Sequence, residues 1–385
     1  MLAPATRVLK NLALTAVTLA VTLSLGEVAV RLLYKERTVL FPRYHTDYQY
    51  GRYKIRGIRP NTEYWMSSVD GSWKIVTNSR GFRNARDFTN PKPARTLRVL
   101  SLGDSHTQGY EVRQDFTFSA VLERFLNRRG VRAEVINAGV SGYSTAEALV
   151  FLENEGVRYD PDVVVLGFFL NDFEDNLKAG LFGLDAQNRL TEEKYEHLPG
   201  VGIQNLIYNV GIIRWLSENS YFYSLLFNNV WVYFKSGLAR LGAEASVGRK
   251  PSPSAAGDDI EYAVATTAAL SDYQIALGAA LIERMHRFCR DRGMRFIVID
   301  VPSWVWPDRF QSSLPQGLEE RLAAARVELI QSRPLLQSYE GIAELHLPRG
   351  HHHISEFTHT LIGLEIGRRL LAPDALPERG ERDRR

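Results

Sequence analysis

The chain of 385 residues contains one cysteine, Cys289, so no disulfide can close within it. That scarcity leaves the compartment open, since a lone thiol says little about redox surroundings. A large net charge is also missing. With 47 Lys and Arg against 44 Asp and Glu, the chain carries +3 and has no stripe of basic residues interleaved with aromatics, so no nucleic-acid partner is implied. Long apolar runs are scarce too. The one present is N-terminal: Arg7 and Lys10 precede Leu12 to Leu25, which holds only apolar residues, Thr and Ser before Gly26 and Glu27 interrupt it. This pattern suits export. A full membrane crossing takes about 20 largely apolar residues, which here brings in Glu27 and Arg31, and no small-x-small cleavage site follows. The expectation is an uncleaved, single-pass signal anchor over residues 1–36, with the rest of the chain extracytoplasmic. The alternative is a buried N-terminal helix.

What is present fits a folded protein with added elements. The content is 45% hydrophobic and 24% charged, in a chain longer than one ordinary domain. Leu97 to Leu102, Val163 to Leu166 and Arg295 to Ile299 read as buried parallel strands, and a short fifth strand is expected near Ile342 to Leu347. Phe118, Val121, Leu122, Phe125 and Leu126 share one helical face, as do Leu270, Tyr273, Leu277, Leu281 and Phe288. This alternation predicts an α/β fold, a doubly wound and mainly parallel five-stranded sheet with helices on both faces, over residues 96–373.

Residues 37–95 read as a β-rich lead-in with alternating segments such as Trp73 to Thr77, and Asn78 to Arg83 as a turn with one buried aromatic. An insertion at about 177–260 opens with the aromatic-rich stretch Ile203 to Phe234 and closes with Ser246 to Asp259 in linker proportions. A lid, an acyl or glycan platform, a surface resting on a membrane and an ordinary helical pair all fit it. The charged residues 374–385 are expected to be disordered.

Three short blocks stand out, each after an apolar run: Gly103-Asp104-Ser105-His106, Asn137 to Gly142, and Leu170-Asn171-Asp172. A fourth, His353 to His359, lies near the C-terminus. Alone, Ser105 would more often be a helix N-cap. Together and in this order, the blocks resemble those of the SGNH (GDSL-type) hydrolases, over about Leu97 to Leu371 apart from the insertion. Asn78 to Arg83 also resembles a stretch found ahead of the catalytic block in some membrane-anchored members.

The resemblance implies an SGNH/flavodoxin-like fold with Ser105 as nucleophile and His353 as general base. It also implies an oxyanion hole made by the Ser105 N–H, the Gly142 N–H and the Asn171 side-chain amide. No metal or organic cofactor is implied. Gly142 can serve both a tight turn and a close substrate approach, Gly139 reads as structural, and Ser144 to Glu147 reads as a capping box. Asp104 and Asp172 are expected to hold loops by accepting backbone N–H bonds.

Two departures from the family pattern are visible. Gly167 is separated from Asn171 by Phe168, Phe169 and Leu170, and the positions three and two residues before His353, where the family has Asp, are Gly350 and His351. Either a Ser–His dyad operates, or a backbone carbonyl or a carboxylate such as Asp300 or Glu344 orients His353. A metal reading of His351-His352-His353 is disfavoured because adjacent residues of an extended segment point in opposite directions. The implied function is a serine esterase working through an acyl-serine intermediate on an ester substrate. O-acetyl groups on cell-envelope glycan are the expected substrate, from location and analogy, with lipid or small-molecule esters left open. The alternatives are a carbohydrate O-acyltransferase on the same scaffold and a non-catalytic glycan-binding or scaffold protein.

Overall fold

The computed structural model describes residues 3–35, 38, 40, 44–227, 229–230, 270–306, 309–349 and 351–372. The linker expected at Ser246 to Asp259, the tail at 374–385 and Gly350 lie outside the described residues.

The N-terminal helix α1 (Ala3–Leu33) exposes its apolar side chains, among them Leu9, Leu14 and Leu25. Its stretch Thr6–Leu33 is long and apolar enough to cross a membrane. Two antiparallel hairpins follow, β1 (His45–Tyr50) with β2 (Tyr53–Ile58) and β3 (Glu63–Ser68) with β4 (Gly71–Val76).

The α/β unit then runs through β5 (Leu97–Gly103), α2 (Ser105–Gln108), α3 (Phe118–Arg128), β6 (Ala133–Asn137), α4 (Thr145–Asn154), β7 (Val163–Phe168) and α5 (Asp172–Ala179). Next come β8 (Phe182–Leu184), β9 (Leu190–Glu192), β10 (Glu196–His197), α6 (Val201–Asn209) and α7 (Gly211–Asn219). The chain finishes with α8 (Asp272–Asp291), β11 (Arg295–Asp300), β12 (Ser303–Val305), β13 (Arg309–Gln311), α9 (Gln316–Ala324), β14 (Glu328–Ile330), α10 (Ser332–Leu336) and α11 (Glu356–Leu371).

Five strands form one sheet in the order β14-β11-β7-β5-β6, every neighbouring pair parallel. Because successive side chains leave a strand on opposite faces, Val163 and Val165 pack with Leu122, Leu126, Ile362 and Ile366 on one side. Val164 and Leu166 pack with Leu149, Leu281 and Met285 on the other. A continuous apolar run is what burial on both faces requires. The fifth strand is β14, not the expected Ile342 to Leu347. That stretch contributes a single bridge, His346 to Ile354, and serves to hold the segment before α11. Tyr273 also departs from expectation and is exposed, because α8 turns its Leu277, Leu281 and Met285 side to the core instead.

Within the insertion, α6 packs on β1, where the Gln204 side chain accepts from the His45 N–H at 3.0 Å. The chain after α7 meets the end of α1. Glu27 accepts from the backbone N–H groups of Tyr221 and Phe222 at 3.0 and 2.9 Å, and Arg31 donates to the Asn219 carbonyl at 3.0 Å. The two charges that interrupt the apolar N-terminal run are therefore partnered by the insertion.

Candidate active site

Gly103 ends β5 at φ +143, and a Cβ there would lie 2.7 Å from the Gly167 carbonyl oxygen, so only glycine lets the chain turn sharply between strands. Ser105 opens α2 immediately beyond, at the carboxyl edge of the sheet. As the first residue of a helix, its N–H has no intrahelical acceptor. Asp104 caps this turn by accepting from the His106 N–H at 2.9 Å. Burial pushes the Asp104 carboxyl up to about 7. Asp172 accepts from the Phe169 N–H and the Thr145 hydroxyl, each at 2.9 Å. Both aspartates thus hold loops.

His353 reaches the same edge from the far end of the chain. A two-sided clamp fixes it, the Leu347 N–H donating to its carbonyl at 2.9 Å and the Ser355 N–H to that of Leu345 at 3.0 Å. Its Nε2 stands 2.9 Å from Ser105 Oγ. Its Nδ1 faces Glu111 Oε2 at 3.3 Å.

Glu111 is the residue that sequence reasoning missed. Neither Asp300 nor Glu344 supplies the carboxylate. Asp300 is occupied by the Ser313 N–H at 2.8 Å and the Ser332 N–H at 3.0 Å, and the exposed Glu344 offers only its backbone carbonyl, to Ser355. Glu111 lies six positions after Ser105, on the loop leaving α2, rather than beside His353. Its φ of +60 is rare for a residue with a Cβ and marks a position held against local preference. The hold comes from Arg83, whose buried guanidinium donates to the carbonyls of Gln108, Gly109 and Val112 on either side of it. Burial pushes the Arg83 pKa down to about 10. The Asn78 to Arg83 turn forms as expected, with the Asn78 side-chain oxygen Oδ1 accepting from Arg80 and Phe82 N–H at 3.0 Å each. Its last residue braces the loop that carries Glu111.

The electrostatics follow from this packing. Burial pushes the Glu111 pKa up, but hydrogen bonds from His351 and His353 outweigh it and hold the carboxyl well below its usual range. Burial pushes His353 down, Glu111 opposes this only in part, and the net shift is downward, so the ring is neutral at pH 7. A buried neutral imidazole with a carboxylate on Nδ1 and a hydroxyl on Nε2 is arranged to accept a proton at Nε2 and to be stabilised once charged.

The remaining residues surround the Ser105–His353 pair. Gly142 sits at φ +75, and a Cβ there would lie 2.3 Å from the Arg56 guanidinium of β2. Gln108 Oε1 accepts from the Ser141 N–H at 2.9 Å, which ties the Gly142 turn to α2. A Cβ on Gly139 would lie 2.3 Å from the Gln108 nitrogen, so that glycine serves close packing. Ser144 and Glu147 form the expected capping box on α4. Asn171 starts α5 with its amide beside Asp104 and its side-chain oxygen buried without a hydrogen-bond partner. The ends of an amide are told apart only by their partners, so Asn171 keeps one polar end free for a further group. Among the described residues, Glu111, His351 and His353 are also the group whose side chains could together hold a metal ion.

Residues 101–221 match the model of the GDSL-like Lipase/Acylhydrolase family. Over that stretch, which carries Ser105, Gly142 and Asn171, the chain is similar to the GDSL-type hydrolases. Among solved structures it is similar to the lipase/acylhydrolase from Enterococcus faecalis, at 18% identity over 71% of this chain and 95% of that one, with a TM-score of 0.38. It is also similar to an acetyl xylan esterase, at 10% identity over 70% and 98% of the two chains, TM-score 0.38. A third is a variant of an acetyl-xylooligosaccharide esterase from Geobacillus, at 11% identity over 71% and 93%, TM-score 0.38. No curated protein matches significantly.

Proposed function

We propose that the protein is a serine esterase in which Ser105, His353 and Glu111 act as a relay through an acyl-serine intermediate. The observation that carries this reading is the 2.9 Å contact between Ser105 Oγ and His353 Nε2, with Glu111 on the other ring nitrogen. Ser105 Oγ attacks the ester carbonyl carbon as its proton passes to Nε2. Negative charge grows on the carbonyl oxygen, where the Ser105 N–H, the Gly142 N–H and the Asn171 amide donate. The tetrahedral species then expels the alcohol, which takes the proton from His353. Water attacks the acyl-serine with His353 again as base, releasing the acid and restoring Ser105. Glu111 keeps the Nδ1 proton in place and stabilises the imidazolium in each half, the role of the third triad member.

The substrate class we assign is O-acetyl ester on cell-envelope carbohydrate. In this reading α1 anchors the enzyme in the membrane with the sheet on the extracytoplasmic side. Trp304 lies flat on His352, next in the chain to His353, with ring centroids 3.9 Å apart, and Trp306 beside it is 77% exposed. These aromatic faces offer apolar area against which the C–H side of a sugar ring can rest. The test is hydrolysis of p-nitrophenyl acetate and of an acetylated oligosaccharide by the full-length protein in detergent, beside Ser105→Ala and His353→Ala. Both variants are expected to lose about 10⁴-fold or more in kcat. Equal residual rates in all three would overturn the reading.

A further inference from the structure

We propose that Glu111, His351 and His353 form an inhibitory site for a divalent transition metal, zinc foremost, built around the carboxylate of the relay. One Glu111 oxygen and one coordinating nitrogen from each imidazole all lie within 4.8 Å of one another. Charge-assisted N–H···O bonds between such groups run at about 2.7–2.9 Å. The contacts here are longer, 3.3 Å from Glu111 Oε2 to His353 Nδ1 and 3.4 Å from Glu111 Oε1 to His351 Nδ1. Donors placed about 2.0–2.1 Å from a tetrahedral centre, the zinc–ligand distance, stand about 3.3–3.4 Å apart. Each imidazole nitrogen thus stands at ligand spacing from one of the two Glu111 oxygens. Two imidazoles and a carboxylate, with water in the fourth place, are a donor set that zinc accepts.

The local backbone explains why these two histidines converge although adjacent ones cannot. His352, at φ +52, is turned away onto Trp304. Tyr110 walls the cluster, its ring centroid 5.5 Å from that of His351 and 4.8 Å from that of His353.

The consequence for activity rests on the reading of His353 as general base, whereas ion binding does not. In the neutral ring the proton sits on Nδ1, toward Glu111, and the Nε2 lone pair takes the proton of Ser105. An ion on Nδ1 occupies the lone pair there, so the ring proton moves to Nε2. That nitrogen then donates to Ser105 Oγ and cannot accept from it. The proton has moved within the ring, no substrate bond has changed, and the nucleophile has lost its base. The ion also neutralises Glu111.

Full-length Ser105→Ala protein in detergent, titrated with zinc chloride by calorimetry and with cobalt chloride by visible absorption, is expected to bind one ion per chain. Ser105→Ala/His351→Gln and Ser105→Ala/His351→Asn, checked for folding by thermal melting, are expected to weaken binding roughly tenfold or more, at least the loss typical of outer-shell partners. In the Ser105 enzyme, zinc should inhibit ester hydrolysis reversibly, with recovery on chelation. His351→Gln should raise the half-inhibitory zinc concentration by a similar factor. No ion on the Ser105→Ala protein, or equal zinc sensitivity with and without His351, would overturn the site. Binding at the site with full activity retained would overturn the general-base reading of His353 instead.

Discussion

Two buried carboxylates lie near the carboxyl edge of the same sheet, one on each side of β7, and their partners divide their roles. Asp300 ends β11 and meets the backbone N–H groups of Ser313 and Ser332 and the Ser332 hydroxyl. Burial pushes its pKa up, and these bonds offset that only in part. Glu111 follows β5 and α2 and meets two imidazoles, whose hydrogen bonds overcome burial and hold it far below its usual range. A carboxylate among fixed backbone donors pins loops together. One facing a buried imidazole orients that ring and favours its charged form.

Exchanging the two charges should separate these roles. Glu111→Gln is expected to lower kcat for ester hydrolysis by up to about 10⁴-fold, the loss seen when a third triad carboxylate is made an amide. Since Glu111 raises the His353 pKa, its removal should also move the acidic limb of the kcat/KM–pH profile to lower pH, an effect that simple misfolding would not produce. Asp300→Asn should leave kcat within a few-fold while lowering stability by about 1–3 kcal/mol, read by denaturant unfolding, because a charged acceptor of several hydrogen bonds is lost.

Arg83 links the lead-in to this comparison. Arg83→Met leaves the Gln108, Gly109 and Val112 carbonyls without their shared donor. It should cost about 3 kcal/mol or more in stability and lower kcat as well, since the loop bearing Glu111 loses its brace.

Smaller effects should appear with pH and substrate size. Burial holds His346 down at about 4 and His359 at about 3, so both are neutral when folded. The unfolded chain takes up protons below about 6.5 and the folded protein does not. Stability should therefore fall as pH drops from about 6.5 toward 4, by up to about 1.4 kcal/mol per pH unit for each histidine. His359→Gln should reduce that slope, as read by unfolding at a series of pH values. Trp306→Ala should raise KM several-fold for an acetylated oligosaccharide and leave p-nitrophenyl acetate kinetics nearly unchanged.

The sheet was legible because burial on both faces writes continuous apolar runs such as Val163 to Leu166, and helix starts write caps such as Ser144 with Glu147. Ser105 and His353 were legible as blocks at strand and helix boundaries. β14 was not, because a three-residue edge strand carries almost no pattern. Glu111 was not, because its role depends on where the chain brings His353, some 242 positions later, and on an Arg83 brace outside the α/β unit. The sequence signal that did exist was local: the familiar Asp position before His353 holds His351, and a glutamate stands in the short loop after the serine block.

The most direct test of the relay is labelling of the full-length protein with a fluorophosphonate, followed by peptide mass spectrometry. The relay predicts one adduct, on Ser105, formed rapidly in the unaltered protein, far more slowly in Glu111→Gln and not detectably in His353→Ala. An adduct on another residue, or equal labelling rates with and without His353, would contradict it.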